Sequence, residues 1–378
     1  MTALGVGVLG VGDIARNLYV PGIIESGRTG RELRLVGVST RSPDGRAWMA
    51  DRYPDIRVYD DYAAMLADPE IEMVVNLTPP TEHARTTLAA IRAGKHVFSE
   101  KPIATTIGDA DEVIAAAAAA GVTVACAPVI GVHPEVRQAI EWIHRGAVGS
   151  VSMVRARASH PGPAWFPDFT TDPTWFYQPG SGPVLDVAVY PLHVLCLMLG
   201  PVQRVTALAA TSHPRREIRS GPAKGEVVDV TTPDNVHMVL DFGDARLASI
   251  DATWNALSAR GPRMEVYGDR GVLNMYSRPE DPPYELFIDD QSTGVRGWLQ
   301  TEPPYRGSLM PVLGREPVRW SFIDGLEDVA RSIAAGATPV PSAELARHIL
   351  DICLSALRSA ESGRVVELST TFSRQGGA

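Results

Sequence analysis

Leu4-Gly5-Val6-Gly7-Val8-Leu9-Gly10-Val11-Gly12-Asp13-Ile14-Ala15 is the stretch that decides the fold. Leu4 to Leu9 is a compact apolar run of strand type. It leads into G-x-G-x-x-A and then a helical stretch through Leu18. In that context Gly10 permits a tight turn and Gly12 lets a pyrophosphate approach the backbone. Ala15 is small enough for close helix–strand packing. Asp13 and Ile14 open the helix, whose free N–H groups and dipole favour an anion. The spacing predicts a dinucleotide-binding unit at this end of the chain.

Working outward, Leu33 to Ser39 reads as the second strand. An NAD-type site places an acidic residue at its end to bind the ribose 2′-hydroxyl. Here Thr40 stands in that place, Arg41 follows, Arg46 is nearby and the first acid is Asp44. A guanidinium holds a 2′-phosphate bidentately. The expected cofactor is therefore NADP(H), with NAD(H) allowed if Arg41 only covers the adenine face. The spacing from the glycines exceeds the usual ~20 residues. The excess is assigned to the Gly-containing connection around Ser26 to Arg31.

Met73 to Leu77 is a third strand, ending in Asn76-Leu77-Thr78-Pro79-Pro80. Thr81 is expected to cap the next helix, with Glu82 and His83 in its first turn. His83 reads either as an exposed helix residue or as a cofactor-side group beside Thr78 and Pro79. That helix closes at Gly94, and His96 to Ser99 is a short buried strand running straight into Glu100-Lys101-Pro102. Ligands of open α/β sheets sit outside the carboxyl ends of the strands. Glu100 and Lys101 stand at such an end, and Pro102 restricts Lys101 to extended conformations. The alternative is a solvated Glu–Lys pair. Ile107 to Ala120 is an Ala-rich helix stopped by Gly121, and Val122 to Ala127 is a strand. Strands and helices thus alternate over residues 1–128, the pattern of a doubly wound parallel sheet.

From Pro134 the character changes, and residues 129–378 are expected to form a second α/β domain with an open, mainly antiparallel sheet. After a strand-like run, Val151 to Ser159, comes an aromatic, Pro-rich loop. Its His160, Trp165 and Phe176 either line a substrate pocket with faces suited to sugar rings or simply fold as a loop. Gly180 to His193 follows and enters an apolar helix. Asp186 and Tyr190 are four apart and His193 is three further, which on one helix puts them near one face. Polar groups there are costly if buried without partners. A site and a satisfied structural network are the two readings. The last helix, 342–362, is capped by Ser342 and is allowed to pack back on the first domain.

At 378 residues, two domains are expected. The apolar and charged fractions, 45% and 21%, are those of an ordinary soluble globular protein. A formal net charge of −9 with no Lys/Arg block argues against nucleic acid or anionic membrane as a partner. The three cysteines, Cys126, Cys196 and Cys353, lie in apolar segments without a C-x-x-C pair, which suits buried thiols in a reducing cytoplasm. No zinc-ligand spacing is present, so no metal is expected.

Taken together, Gly10-x-Gly12-x-x-Ala15, Thr78-Pro79 with His83, Ala93 to Pro102 and Gly182 to His193 resemble the glucose–fructose oxidoreductase / inositol dehydrogenase / MocA-type oxidoreductases, nearly end to end. The resemblance implies a Rossmann domain plus an α/β domain whose open sheet floors the substrate site and often forms the oligomer interface, here a dimer or tetramer. It implies NAD(P)-dependent hydride transfer between the nicotinamide and a CH–OH carbon of a sugar, inositol or polyol. Lys101 matches the family's active-site lysine and Asp186 the aspartate after the glycine-rich turn. Tyr190 stands where many members have histidine, so Tyr190 or His193 is the expected acid/base, with Asp186 orienting the substrate or His193. Two rival readings are a glycoside-cleaving or epimerising enzyme whose bound NAD(P) is reduced only transiently, and a non-catalytic nucleotide sensor.

Overall fold

Leu4 to Leu9 folds as β1 (Leu4–Leu9), buried at every position after Leu4, as a parallel strand covered on both faces must be. The computed structural model describes residues 3–167, 169–276, 283–292, 294–300 and 321–373. After β1 come α1 (Val20–Arg28), β2 (Leu33–Ser39), α2 (Pro43–Arg52), β3 (Arg57–Tyr59), α3 (Tyr62–Ala67), β4 (Met73–Asn76) and α4 (His83–Arg92). Then follow β5 (His96–Ser99), α5 (Ile107–Ala120), β6 (Val124–Cys126), α6 (Pro134–His144), β7 (Val151–Ser159), α7 (Pro183–Asp186) and α8 (Val189–Leu199). Next are β8 (Arg204–Ala210), β9 (Arg215–Glu217), β10 (Val227–Asp229), β11 (Asn235–Asp241), β12 (Leu247–Thr253), β13 (Met264–Gly268) and β14 (Gly271–Met275). The described elements end with β15 (Tyr284–Asp290), β16 (Val295–Gln300), α9 (Phe322–Ala335), α10 (Ala343–Ser362) and β17 (Val366–Glu367).

The chain divides into two compact units, Met1–His133 with Gly307–Arg347, and Pro134–Arg306 with His348–Ala378. The first holds a parallel sheet in the order β3-β2-β1-β4-β5-β6. The order reverses between β1 and β4, the switch point outside which ligands of doubly wound sheets bind. Its core joins Val6, Val8, Val38, Val75 and Phe98 of the strands to Tyr19, Ile23 and, from α9, Ile323, Leu326 and Val329. Close approach of α9 rests on two glycines. A Cβ on Gly22 would stand 2.3 Å from the Ile323 side chain, and one on Gly325 2.1 Å from that of Val129.

The second unit is built on a nine-stranded sheet in the order β16-β15-β14-β13-β7-β12-β11-β8-β17. It is antiparallel except where β7 and β12 run parallel. Its strands alternate buried and exposed residues, so one face carries the core and α7 and α8 pack against it. The other face leaves Met153, Leu208, Val239 and Leu247 exposed, Leu208 at 77%. β9 and β10 form a separate ribbon inside the polar excursion that follows β8.

Three local expectations change. The units are not the contiguous halves drawn at residue 128, because α9 returns to the first sheet; of α10, only the start up to Arg347 belongs to that unit. Thr81 does not cap α4, since Pro80 to Glu82 form a 3₁₀ turn and the helix begins at His83 without a side-chain cap. Asp186, Tyr190 and His193 do not share one helix: α7 ends at Asp186, and α8 starts at Val189 after a turn at Val187 and Ala188. Residues 277–282, 293 and 301–320 lie outside the described residues, and β15 and β16 fall between them.

Candidate functional site

The carboxyl ends of β1, β4 and β5 gather the first set of candidate residues. Gly10 has φ +95°, and a Cβ there would press to 2.8 Å on the Leu77 carbonyl oxygen, so only glycine fits between the two strand ends. At Gly12 nothing lies within 4 Å of a notional Cβ, and the residue is exposed. The helix begins at Asp13 and Ile14 with Ala15 fully buried. This is an open cradle of backbone at a helix start, and it fits a dinucleotide pyrophosphate. From Ala15 to Tyr19 the helix takes a π turn. Such insertions mark functional sites more often than ordinary helix does.

At the end of β2, Thr40 is buried and its hydroxyl accepts the Ser42 N–H at 3.3 Å. Arg41 is exposed, and its charge helps hold the Glu82 carboxyl below its usual range, after the larger effect of Arg85. At the end of β4, Asn76 is fully buried. Its amide donates to the Thr86 and Thr87 hydroxyls at 2.7 and 3.1 Å, and its Oδ1 accepts from the Thr78 hydroxyl at 2.8 Å. Thr78 is thereby fixed half-buried, with Pro79 exposed beside it. His83 is buried at 1% exposure. Its Nδ1 lies 2.6 Å from the Pro102 carbonyl oxygen and its Nε2 2.7 Å from that of Thr78. Burial lowers its pKa, against the pull of those two carbonyls and of Glu100.

At the end of β5, Glu100 is 7% exposed and faces inward. Its Oε1 accepts the Tyr19 hydroxyl at 2.6 Å and its Oε2 the backbone N–H of Lys101 at 3.0 Å. Both carboxylate oxygens are thus used inside the fold, which removes the solvated Glu–Lys pair as a reading. Lys101 is half-buried and joined to Pro102 by a cis peptide bond.

In the second unit, Asp186 and Tyr190 are half-buried and His193 is 1% exposed. Tyr177 lies close to Asp186. Burial pushes the Tyr177 phenol up to about 12, with Asp186 adding to the rise, while its oxygen accepts the Ala164 N–H at 2.8 Å. The aromatic loop is spoken for by packing. Trp165 and Phe176 lie against a small core of Ala164, Tyr177, Ile218 and Trp254. The Trp165 ring also carries the guanidinium groups of Arg216 and Arg219 at 4.1 and 4.6 Å. His160 stacks on Phe166, ring centroids 5.2 Å apart, and its Nδ1 accepts the Gly162 N–H. Trp165 and Phe176 are each only half-buried in this packing.

Sequence reasoning missed Tyr19, Asn76 and Tyr177. Asn76 at a strand end was a usable signal, because a buried amide there must bond neighbouring loops. Tyr19 and Tyr177 gave none, as their partners are remote in sequence or depend on the π turn. Likewise the fully buried Arg216–Asp234 pair, 3.0 Å apart, carries two charges of the polar excursion inside. Among the described residues no group of three or more His, Cys, Asp or Glu could hold a metal, and no helix is long and apolar enough to cross a membrane.

Residues 4–127 match the family model described as oxidoreductase family, NAD-binding Rossmann fold, and residues 136–274 match the GFO/IDH/MocA C-terminal domain. Similar curated proteins include levoglucosan dehydrogenase of Pseudarthrobacter phenanthrenivorans, 26% identical over 81% of this chain and 82% of that protein. Myo-inositol 2-dehydrogenase of Thermotoga maritima is 23% identical over 88% and 91%. The NADP(+)-linked scyllo-inositol 2-dehydrogenase of Bacillus subtilis is 23% identical over 84% of each. Among solved structures, apo levoglucosan dehydrogenase superposes with a TM-score of 0.82 at 21% identity, covering 98% of this chain and 100% of that one. With both domain models matched in order over most of its length, the chain belongs to the GFO/IDH/MocA family of NAD-binding oxidoreductases.

Proposed function

We propose that the protein interconverts a secondary alcohol and its ketone in a sugar, inositol or related polyol, with NADP(H) as the redox partner. The observation that carries this reading is the arrangement outside β1, β4 and β5: an open glycine cradle after β1 and a half-buried lysine after β5, two strands along the sheet. The relatives named for levoglucosan and inositols support the substrate class. Bound nicotinamide supplies the hydride chemistry, and the protein supplies position and proton handling.

In this reading the backbone at Gly10, Gly12, Asp13 and Ile14 holds the pyrophosphate, and Thr78 and Pro79 border the cofactor. Lys101 polarises the substrate oxygen, lowering the cost of the negative charge that develops as the hydroxyl loses its proton. Tyr190 is the acid/base and Asp186 orients the substrate hydroxyl. Tyr190 is preferred over His193 because it is partly open whereas His193 is buried. His160, Trp165 and Phe176, all half-buried, border the substrate in this reading. Glu100 acts through the turn it braces rather than on the cofactor.

Arg41 is the proposed selector for the 2′-phosphate: it is exposed at the end of β2, where Thr40 replaces an acid. The exposed apolar residues Leu208, Val239 and Leu247 on the open sheet favour a homo-oligomer through that face. All three cysteines are buried and free, which supports a reducing, cytoplasmic setting.

Replacing Lys101 by Met should lower kcat by roughly 10²–10⁴-fold, the usual worth of a positioned proton-transfer group; near-full activity would remove Lys101 from the mechanism. Arg41→Ala should weaken NADPH binding by roughly 10–100-fold in a fluorescence titration, the cost of one charge-assisted bond, and leave NADH binding unchanged. Equal loss for both nucleotides would assign Arg41 to the adenine face. Light scattering should return a dimer or larger assembly, and a monomer at micromolar concentration would sink the sheet-face interface.

A further inference from the structure

His83 is held at both ring nitrogens near the lysine, and the function proposed above leaves it without a task. It is buried, it begins α4, and its two ring nitrogens face carbonyl oxygens of two different loops: Pro102 at 2.6 Å and Thr78 at 2.7 Å. Each loop is tied from its other side. Asn76 holds Thr78 through the 2.8 Å bond to its hydroxyl. Glu100 holds the Lys101 N–H at 3.0 Å and is itself held by Tyr19. The imidazole therefore spans from the end of β4 to the residue after Lys101.

We infer that His83 is a positioning residue for Lys101, a strut between the Thr78 and Pro102 carbonyls that fixes the turn carrying the ammonium. It touches neither cofactor nor substrate in this role. A neutral imidazole has one N–H and one lone pair, so it donates to one carbonyl and turns a lone pair towards the other. Only the imidazolium donates to both. The strut is thus tightest when His83 is protonated. The charged groups that act on it are Glu100, which favours the proton, and Lys101, which opposes it. Burial is the largest influence and keeps the pKa below the ordinary histidine value, so the second bond is gained on the acid side of neutrality and lost as pH rises.

The inference rests on Lys101 being the working group, so Lys101→Met is measured alongside. His83→Phe removes both bonds and keeps a ring of similar size. Its kcat should fall roughly 10–100-fold, as for a misplaced catalytic group, with the NADPH dissociation constant close to wild type. The wild-type to His83→Phe ratio of kcat should rise as pH falls through the acid range. His83→Gln, whose amide donates to one carbonyl, should recover part of the loss and guards against a His83→Phe chain that fails to fold. Wild-type kcat in both His83 variants would overturn the inference, as would a loss confined to cofactor affinity. If Lys101→Met itself retains near-full kcat, it is the lysine assignment that falls.

Discussion

A carboxylate that is almost wholly buried must find donors or it costs more than the fold can spare. Glu100 finds two, the Tyr19 hydroxyl and the Lys101 N–H. Those two bonds come from two different elements. Tyr19 stands on the helix that starts at the glycine cradle, where the π turn ends. Lys101 stands on the turn after β5. One buried charge therefore joins the cofactor-binding end of β1 to the turn that presents the lysine. Phe98 and Phe322 pack beside the Tyr19 ring and keep the hydroxyl in place.

How much of this was legible in the chain differs from residue to residue. Gly10 and Gly12 could be read because their reasons are local: one needs positive φ and a close strand, the other needs an open backbone. The parallel, doubly wound character of the first sheet followed from alternating strand and helix patterns. The Glu100–Tyr19 bond could not be read, since its partners are 81 positions apart and meet only through a helix whose register shifts. Asp186, Tyr190 and His193 have helical spacing, yet the chain breaks after Asp186. Gly182 at φ +108° and Pro183 start a one-turn helix that ends before α8 begins. The return of α9 to the first sheet was equally hidden. It depends on Gly22 and Gly325 admitting bulky neighbours, and neither glycine announces a partner.

Composition alone does not choose between two uses of the aromatic loop. Tryptophan and phenylalanine beside glycine and proline suit a sugar pocket and suit a small core equally well. Here Tyr177 and Trp254 are fully buried, and Trp165 lies against two guanidinium groups. The ring faces are used in packing, with Arg216 held by the buried Asp234 carboxylate.

The central claim is that the protein carries out reversible hydride transfer at a carbinol carbon. The most direct measurement is deuterium transfer: protein with reduced nicotinamide nucleotide carrying deuterium at both C4 positions is incubated with a panel of keto-sugars and inososes, and the products are read by mass spectrometry. Hydride transfer predicts one deuteron per turnover at the new carbinol C–H, with stoichiometric oxidation of the nucleotide. Tight nucleotide binding with no deuterium in any product would contradict it and mark the chain as a nucleotide-binding protein that has lost the chemistry.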